Sequence, residues 1–180
     1  MYTHKLVLKH YYCAESIFEL AHFSINKLHV KILRQNPTVG KITRMSNAKI
    51  REAEDHIKQA EKYLKTSMFK WNPDFDSAGD CYSRAATAYK VGGNKEKAVE
   101  CLDKACNCYK EIRTLFQAAR MLDQAVLLSR DMNKMDDVVQ YAERGALLFR
   151  QDGSNETAAQ LLEKSAKIVE GSCPEKAIGL

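Results

Sequence analysis

Six cysteines, five histidines and 23 carboxylates are the side chains of this 180-residue chain that could hold a metal, a redox couple or a nucleophile. The cysteines are Cys13, Cys81, Cys101, Cys106, Cys108 and Cys173. No two form a CxxC pair, and none alternates with histidine at metal-ligand spacing. Cys101, Cys106 and Cys108 fall in one helix pattern, where 106 and 108 point to different faces. They read as small apolar packing residues rather than as a metal or redox site. Four histidines lie in residues 1–44 and the fifth is His56. The carboxylates are spread over outer helix faces with Lys or Arg in reach, as Glu100 is of Lys104 four residues on. The chain contains no GxxxxGK[ST], GxSxG or HExxH motif and no Gly-rich phosphate loop. These observations argue against an enzyme and call for no metal and no cofactor.

A different chemistry is concentrated in Ser67-Met68-Phe69-Lys70-Trp71-Asn72-Pro73-Asp74-Phe75, which holds the only tryptophan. A helix connection ordinarily favours polar and turn residues. Here large apolar residues stand beside Lys65 and Lys70. One reading folds the aromatics back onto the adjoining helices. The other dips Met68, Phe69, Lys70 and Trp71 into a membrane interface, with lysine meeting anionic lipid. A single loop of this size binds weakly and needs a second contact.

The elements that position these residues are helical. The chain is 45% hydrophobic and 28% charged, with only three prolines and eight glycines. No apolar run is long enough to cross a bilayer. The net charge of +5 sits entirely in residues 1–44, where seven Lys/Arg face two Asp/Glu, while the remainder is neutral. The body therefore lacks the basic field of a nucleic-acid binder. Residues 1–44 are basic, acid-poor and rich in His and Tyr. Ile17, Leu20, Ala21, Ile25, Leu28 and Ile32 would share one face of a helix. The segment reads as an extension from an alternative start, a transit peptide or a membrane-surface helix. It ends in a turn-like Gln35–Gly40 stretch, and the regular pattern opens at Met45-Ser46. Reduced thiols and the lack of a signal peptide suit the cytosol.

From Ser46 the chain is helix after helix. Ile50, Ala53, Ile57, Ala60 and Leu64 form one apolar stripe. Breaks follow near Asn72-Pro73, Gly92–Asn94, Ile112-Arg113, Asn133, Gly153-Ser154 and Gly171-Ser172. Asn94, Asn133 and Ser154 are expected to cap the helices that follow, and Pro174 to open another. The breaks are about 20 residues apart, one helix of four to five turns plus a short loop. Self-similarity appears at a lag of 40: Ala78 with Ala118 and Ala158, Tyr82 with Leu122 and Leu162, Ala85 with Ala125 and Ser165. The alternate helices align Ala98 with Val138, Leu102 with Ala142, Ala105 with Gly145, and Tyr109 with Phe149. Small residues allow close helix approach and the large one fills the gap beside them. This is the logic of tetratricopeptide-type hairpins at a longer period, an all-α solenoid in which neighbours must stack. Gly145 is expected to face a neighbouring helix and to be small for that reason.

Ala60–Thr66, Phe69-Lys70-Trp71, Pro73-Asp74, Asp76-Ser77-Ala78 and Leu115–Ala119 together resemble the soluble NSF attachment protein (SNAP) family, in its gamma branch. Asn133-Lys134-Met135, Thr157-Ala158-Ala159 and Pro174–Ala177 extend the likeness from about residue 45 to the end. Residues 1–44 match nothing in that family.

The resemblance implies a cytoplasmic, non-enzymatic adaptor, peripherally associated with membranes. It would bind the assembled SNARE complex, a syntaxin-type helical bundle, and recruit the NSF ATPase that unwinds it in vesicle-mediated transport. It implies membrane contact through Met68–Trp71 and a basic SNARE-binding position at Arg120. Lys90, Lys97, Lys134 and Lys164 are further candidates from composition alone. Gln160 stands at the position equivalent to Arg120 one repeat on, so the basic surface thins there. The family's C-terminal bundle, which engages NSF, is expected to lie beyond Leu180, leaving this chain cut off from the ATPase. The alternative reading is a generic helical-repeat scaffold that binds another peptide or helix.

Overall fold

The computed structural model describes residues 37–66 and 72–171, with side chains from residue 43 onward. Cys13, Cys173, the Ile17–Ile32 stripe, Met68–Trp71 and Pro174 lie outside the described residues. The chain divides into two units, Met1–Met45 and Ser46–Leu180. Six helices are described: α1 Pro37–Leu64, α2 Phe75–Val91, α3 Lys95–Glu111, α4 Leu115–Asp131, α5 Met135–Gln151 and α6 Asn155–Glu170. The turn expected over Gln35–Gly40 is replaced by helix from Pro37. Proline suits the first helical turn, since its φ is already helical and its missing N–H is not needed there.

From α2 onward, consecutive helices pack against one another as antiparallel neighbours, the all-α hairpin solenoid expected from the repeat. The expected stripe of α1 is seen: Ala53 and Ala60 are fully buried, with Ile50, Ile57 and Leu64 packed on the core. Ser46 Oγ donates to the Gly92 carbonyl at 2.6 Å. At the other end of the same pair, the Asp74 N–H donates to the Tyr63 carbonyl at 3.0 Å. These two bonds fix α1 antiparallel to α2.

Helices α2 to α5 are each 17 residues long, and a three-residue turn follows each of them. The four turns are built alike. The second turn residue has positive φ: Gly93 (83°), Arg113 (56°), Asn133 (57°) and Gly153 (91°). The N–H of the next residue reaches back five positions, as in Asn94 to Tyr89 (2.9 Å) and Thr114 to Tyr109 (3.0 Å). Lys134 to Ser129 (3.0 Å) and Ser154 to Phe149 (2.8 Å) repeat the bond. This is the Schellman closure, which satisfies helix-end carbonyls and reverses the chain. Each helix carries a basic residue in its last turn, Lys90, Lys110, Arg130 and Arg150, where the helix dipole is negative.

The caps follow the expectation in part. Asn94 Oδ1 accepts from the Lys97 N–H at 3.2 Å. Asn133 does not cap α5; it takes the left-handed turn position, and Lys134 becomes the N-cap. Asparagine tolerates that conformation better than most residues, which explains the exchange. Ser154 is the N-cap of α6, but its Oγ donates to Asp152 Oδ2 at 2.9 Å instead of capping.

Small residues sit where helices meet. Ala78, Ala98, Ala118 and Ala158 are buried, as are Ala85, Ala105, Ala125 and Ser165. A Cβ on Gly145 would lie 2.8 Å from Leu161 Cδ2 and 3.4 Å from Leu122 Cβ. Gly145 is small because α5 lies against both α4 and α6 there, as expected. Gly79 fills the same need against the Tyr109 ring, which a Cβ would approach to 2.9 Å.

Candidate functional site

The antiparallel order gives the second unit two faces and two ends. Helices α2, α4 and α6 form one face, and α1, α3 and α5 the other. One end gathers the last turns of α2 and α4 with the first turns of α3 and α5. The other gathers the last turns of α1, α3 and α5 with the first turns of α2, α4 and α6. Every third or fourth residue of a helix turns away from the core, so exposed positions recur in the 20-residue register.

Arg120 is exposed midway along α4, on the α2–α4–α6 face. Its register equivalents are Asp80, Glu100, Gln140 and Gln160, so α4 alone carries a cation there. Lys164 lies on the same face in α6, and Asp123 Oδ1 of α4 holds its Nζ at 2.5 Å. Each of those side chains is a little over one-third exposed.

Lys90, Lys97 and Lys134 come together at the first end, apart from Arg120 and Lys164. Lys90 stands at a small cavity of about 130 Å³ between α2 and α4, floored by Leu102 of α3 and edged by Thr87 and Gln124. Lys97 Nζ lies 5.5 Å from the centre of the Tyr89 ring, within cation–π range. Lys134 is exposed as the N-cap of α5. The five candidate cations therefore form two groups, not one.

Sequence reasoning missed several partners. Lys95 donates to the Asp131 carbonyl at 3.2 Å, closing the first end between α3 and α4. Asp131 is held below the usual carboxylate range by its hydrogen bond from Arg130, aided by the charges of Lys95 and Lys90. Arg144 Nη2 of α5 donates to Asp103 Oδ1 of α3 at 2.7 Å, on the opposite face to Lys164–Asp123. Both pairs are separated by 41 residues. The signal for them was one position off the 40-residue lag.

The cysteines behave as core. Cys81, Cys101, Cys106 and Cys108 are buried and unpaired. Burial pushes the Cys101 and Cys106 thiols up to about 11, so the thiolate that attacks or ligates is suppressed. Among the described residues no group of three His, Cys, Asp or Glu converges as a metal site would require. None of the described helices is long and apolar enough to cross a membrane. Met68, Phe69, Lys70 and Trp71, the expected membrane loop, lie outside the described residues. α1 ends at Leu64 and α2 begins at Phe75, both at the second end.

The interior of the stack is given to packing, and the candidate cations lie on its surface. The family model described as soluble NSF attachment protein, SNAP, matches residues 51–179 of the chain.

Proposed function

From the premise that the chain belongs to the soluble NSF attachment protein family, whose members are non-enzymatic adaptors of SNARE- and NSF-dependent vesicle transport, we propose that it binds an assembled SNARE bundle through the α2–α4–α6 face. The observation that carries this reading is Arg120. It is an exposed cation whose register equivalent on α6, Gln160, is neutral, while the acid at that register on α2, Asp80, already accepts from the Tyr109 hydroxyl at 2.7 Å. An acidic helical bundle laid along that face would meet Arg120 at its middle and Lys164 one helix on. We place the chain with the gamma branch, peripheral to cytoplasmic membranes, on the strength of the residues around Trp71 and Leu115–Ala119. Residues 45–180 form the functional body. Linking the bundle to NSF belongs to the family's C-terminal portion.

The test is retention of the purified chain on immobilised, assembled SNARE complex at low and moderate salt, comparing wild type with Arg120→Glu. Retention that falls at least tenfold in Arg120→Glu supports the reading. Equal retention of both, or none of a folded wild type, leaves the generic scaffold in its place. NSF with non-hydrolysable ATP, added to the bound chain, then reports whether this portion reaches the ATPase.

A further inference from the structure

The four inter-helix turns share one construction, so each residue of one turn has a structural equivalent in the others. The turn between α3 and α4 departs from the pattern three times within five residues. The left-handed position is Gly93, Asn133 and Gly153 elsewhere, but Arg113 here. Arginine is not among the residues that adopt positive φ readily. The preceding position is Gly92, Met132 and Asp152 elsewhere. Here it is Ile112, apolar like Met132, but 36% exposed where Met132 is packed against the core. The second helical residue is acidic in α2, α3, α5 and α6, as Asp76, Glu96, Asp136 and Glu156, where it complements the positive end of the helix dipole. In α4 it is Phe116, 40% exposed.

The equivalent turns close by the same hydrogen bonds without any of the three. Together they put two exposed apolar side chains and a cation on one convex turn. Two more cations border it. Lys110 ends α3. Arg150 follows Phe149, whose ring meets the Phe116 ring edge-on at 5.4 Å. Two exposed acids stand among them, Glu111 as the last residue of α3 and Asp152 two residues after Arg150.

We propose that Ile112, Arg113 and Phe116, with Lys110 and Arg150 beside them, form a docking surface for a phospholipid bilayer carrying anionic headgroups. Apolar side chains flanked by arginine and lysine are the composition that inserts at a bilayer interface while the cations stay with the phosphates. The cluster is carried on an inter-helix turn at one end of the stack, where a planar surface can reach it. It lies at the end of the stack where the chain leaves α1 and enters α2.

The test uses the full chain and co-sedimentation with vesicles of phosphatidylcholine alone or with 30% phosphatidylserine, a composition chosen to be about physiological in anionic content. The variant Ile112→Asp, Arg113→Gly, Phe116→Glu takes at each position a residue of the type the equivalent turns carry, and circular dichroism checks that it folds. The expected result is salt-sensitive binding of wild type to the anionic vesicles, and about a fivefold or greater loss in the variant. Absence of wild-type binding, or variant binding within twofold of wild type, overturns the proposal. Retention on SNARE complex is read in parallel. Loss there, with vesicle binding unchanged, assigns the turn to a protein partner and overturns the lipid assignment. Loss of vesicle binding with SNARE retention intact supports it, whether or not the Arg120 reading holds.

Discussion

Lys164 Nζ of α6 lies 2.5 Å from Asp123 Oδ1 of α4, so the cation best placed to follow Arg120 along its face is already neutralised. The pair is part-exposed, and such pairs contribute little to stability, about 0–1 kcal/mol. Its larger effect is on what Lys164 can offer a partner.

Asp123→Asn is therefore expected to strengthen binding to an acidic SNARE bundle by about two- to threefold at low salt, fading as salt rises. Lys164→Gln in the same background should remove the gain. Anisotropy titration of a labelled bundle measures both. Weaker binding in Asp123→Asn would show that Asp123 serves the interface rather than masking it.

Gly79→Ala is expected to destabilise the unit by about 1–3 kcal/mol, the usual range for overpacking. The helix preference of alanine over glycine, about 1 kcal/mol, does not offset it. The obstacle is the Tyr109 ring, which cannot swing away freely because its hydroxyl donates to Asp80 Oδ1 at 2.7 Å. Urea unfolding checks the value. Gly79→Ala combined with Tyr109→Leu should recover part of the loss, since the clash is then gone.

Arg113→Gly is expected to stabilise the chain by about 0.5–1 kcal/mol, and Gly93→Ala to destabilise it by a similar amount. Both positions have positive φ, at 56° and 83°. No side chain lies near Gly93 to meet the added methyl, so the cost there is conformational only. Thermal or urea midpoints moving in opposite directions would confirm the equivalence of the two turns.

Stability is expected to fall as pH rises above about 8.5, the range in which unfolded thiols ionise. Burial raises Cys101 and Cys106 to about 11, and raises Cys81 and Cys108 as well. Between the unfolded and folded values only the unfolded chain loses these protons, so alkali favours unfolding. Each group contributes at most about 1.4 kcal/mol per pH unit. Tyr109 extends the effect upward: burial and its bond to Asp80 raise its hydroxyl above the ordinary tyrosine value. Urea midpoints from pH 7 to 11 measure the slope. A flat profile to pH 10 would mean that the buried thiols titrate as free ones.

Much of this protein is determined by the sequence alone. The 20-residue spacing of breaks and the 40-residue recurrence of small and large residues fix helices, turns and stacking, because a helix buries one stripe and the stripe must repeat for hairpins to nest. Gly145 could be read as a close approach from its place in the recurrence. Cys101, Cys106 and Cys108 could be read as core from their place in one helix pattern, and all three are buried. Other features depended on three dimensions. Asn133 looked like a cap, but the Schellman closure places it one residue earlier, where left-handed backbone matters more than a side-chain acceptor. Lys164 looked like a free cation, and only the packing of α6 beside α4 brings Asp123 to it. The five candidate cations fell into two groups because antiparallel helices send residues 90, 97 and 134 to one end while 120 and 164 stay mid-helix. Local periodicity sets which side of a helix is buried. Which charges meet across helices depends on the offset between neighbours, and that offset is decided by tertiary packing.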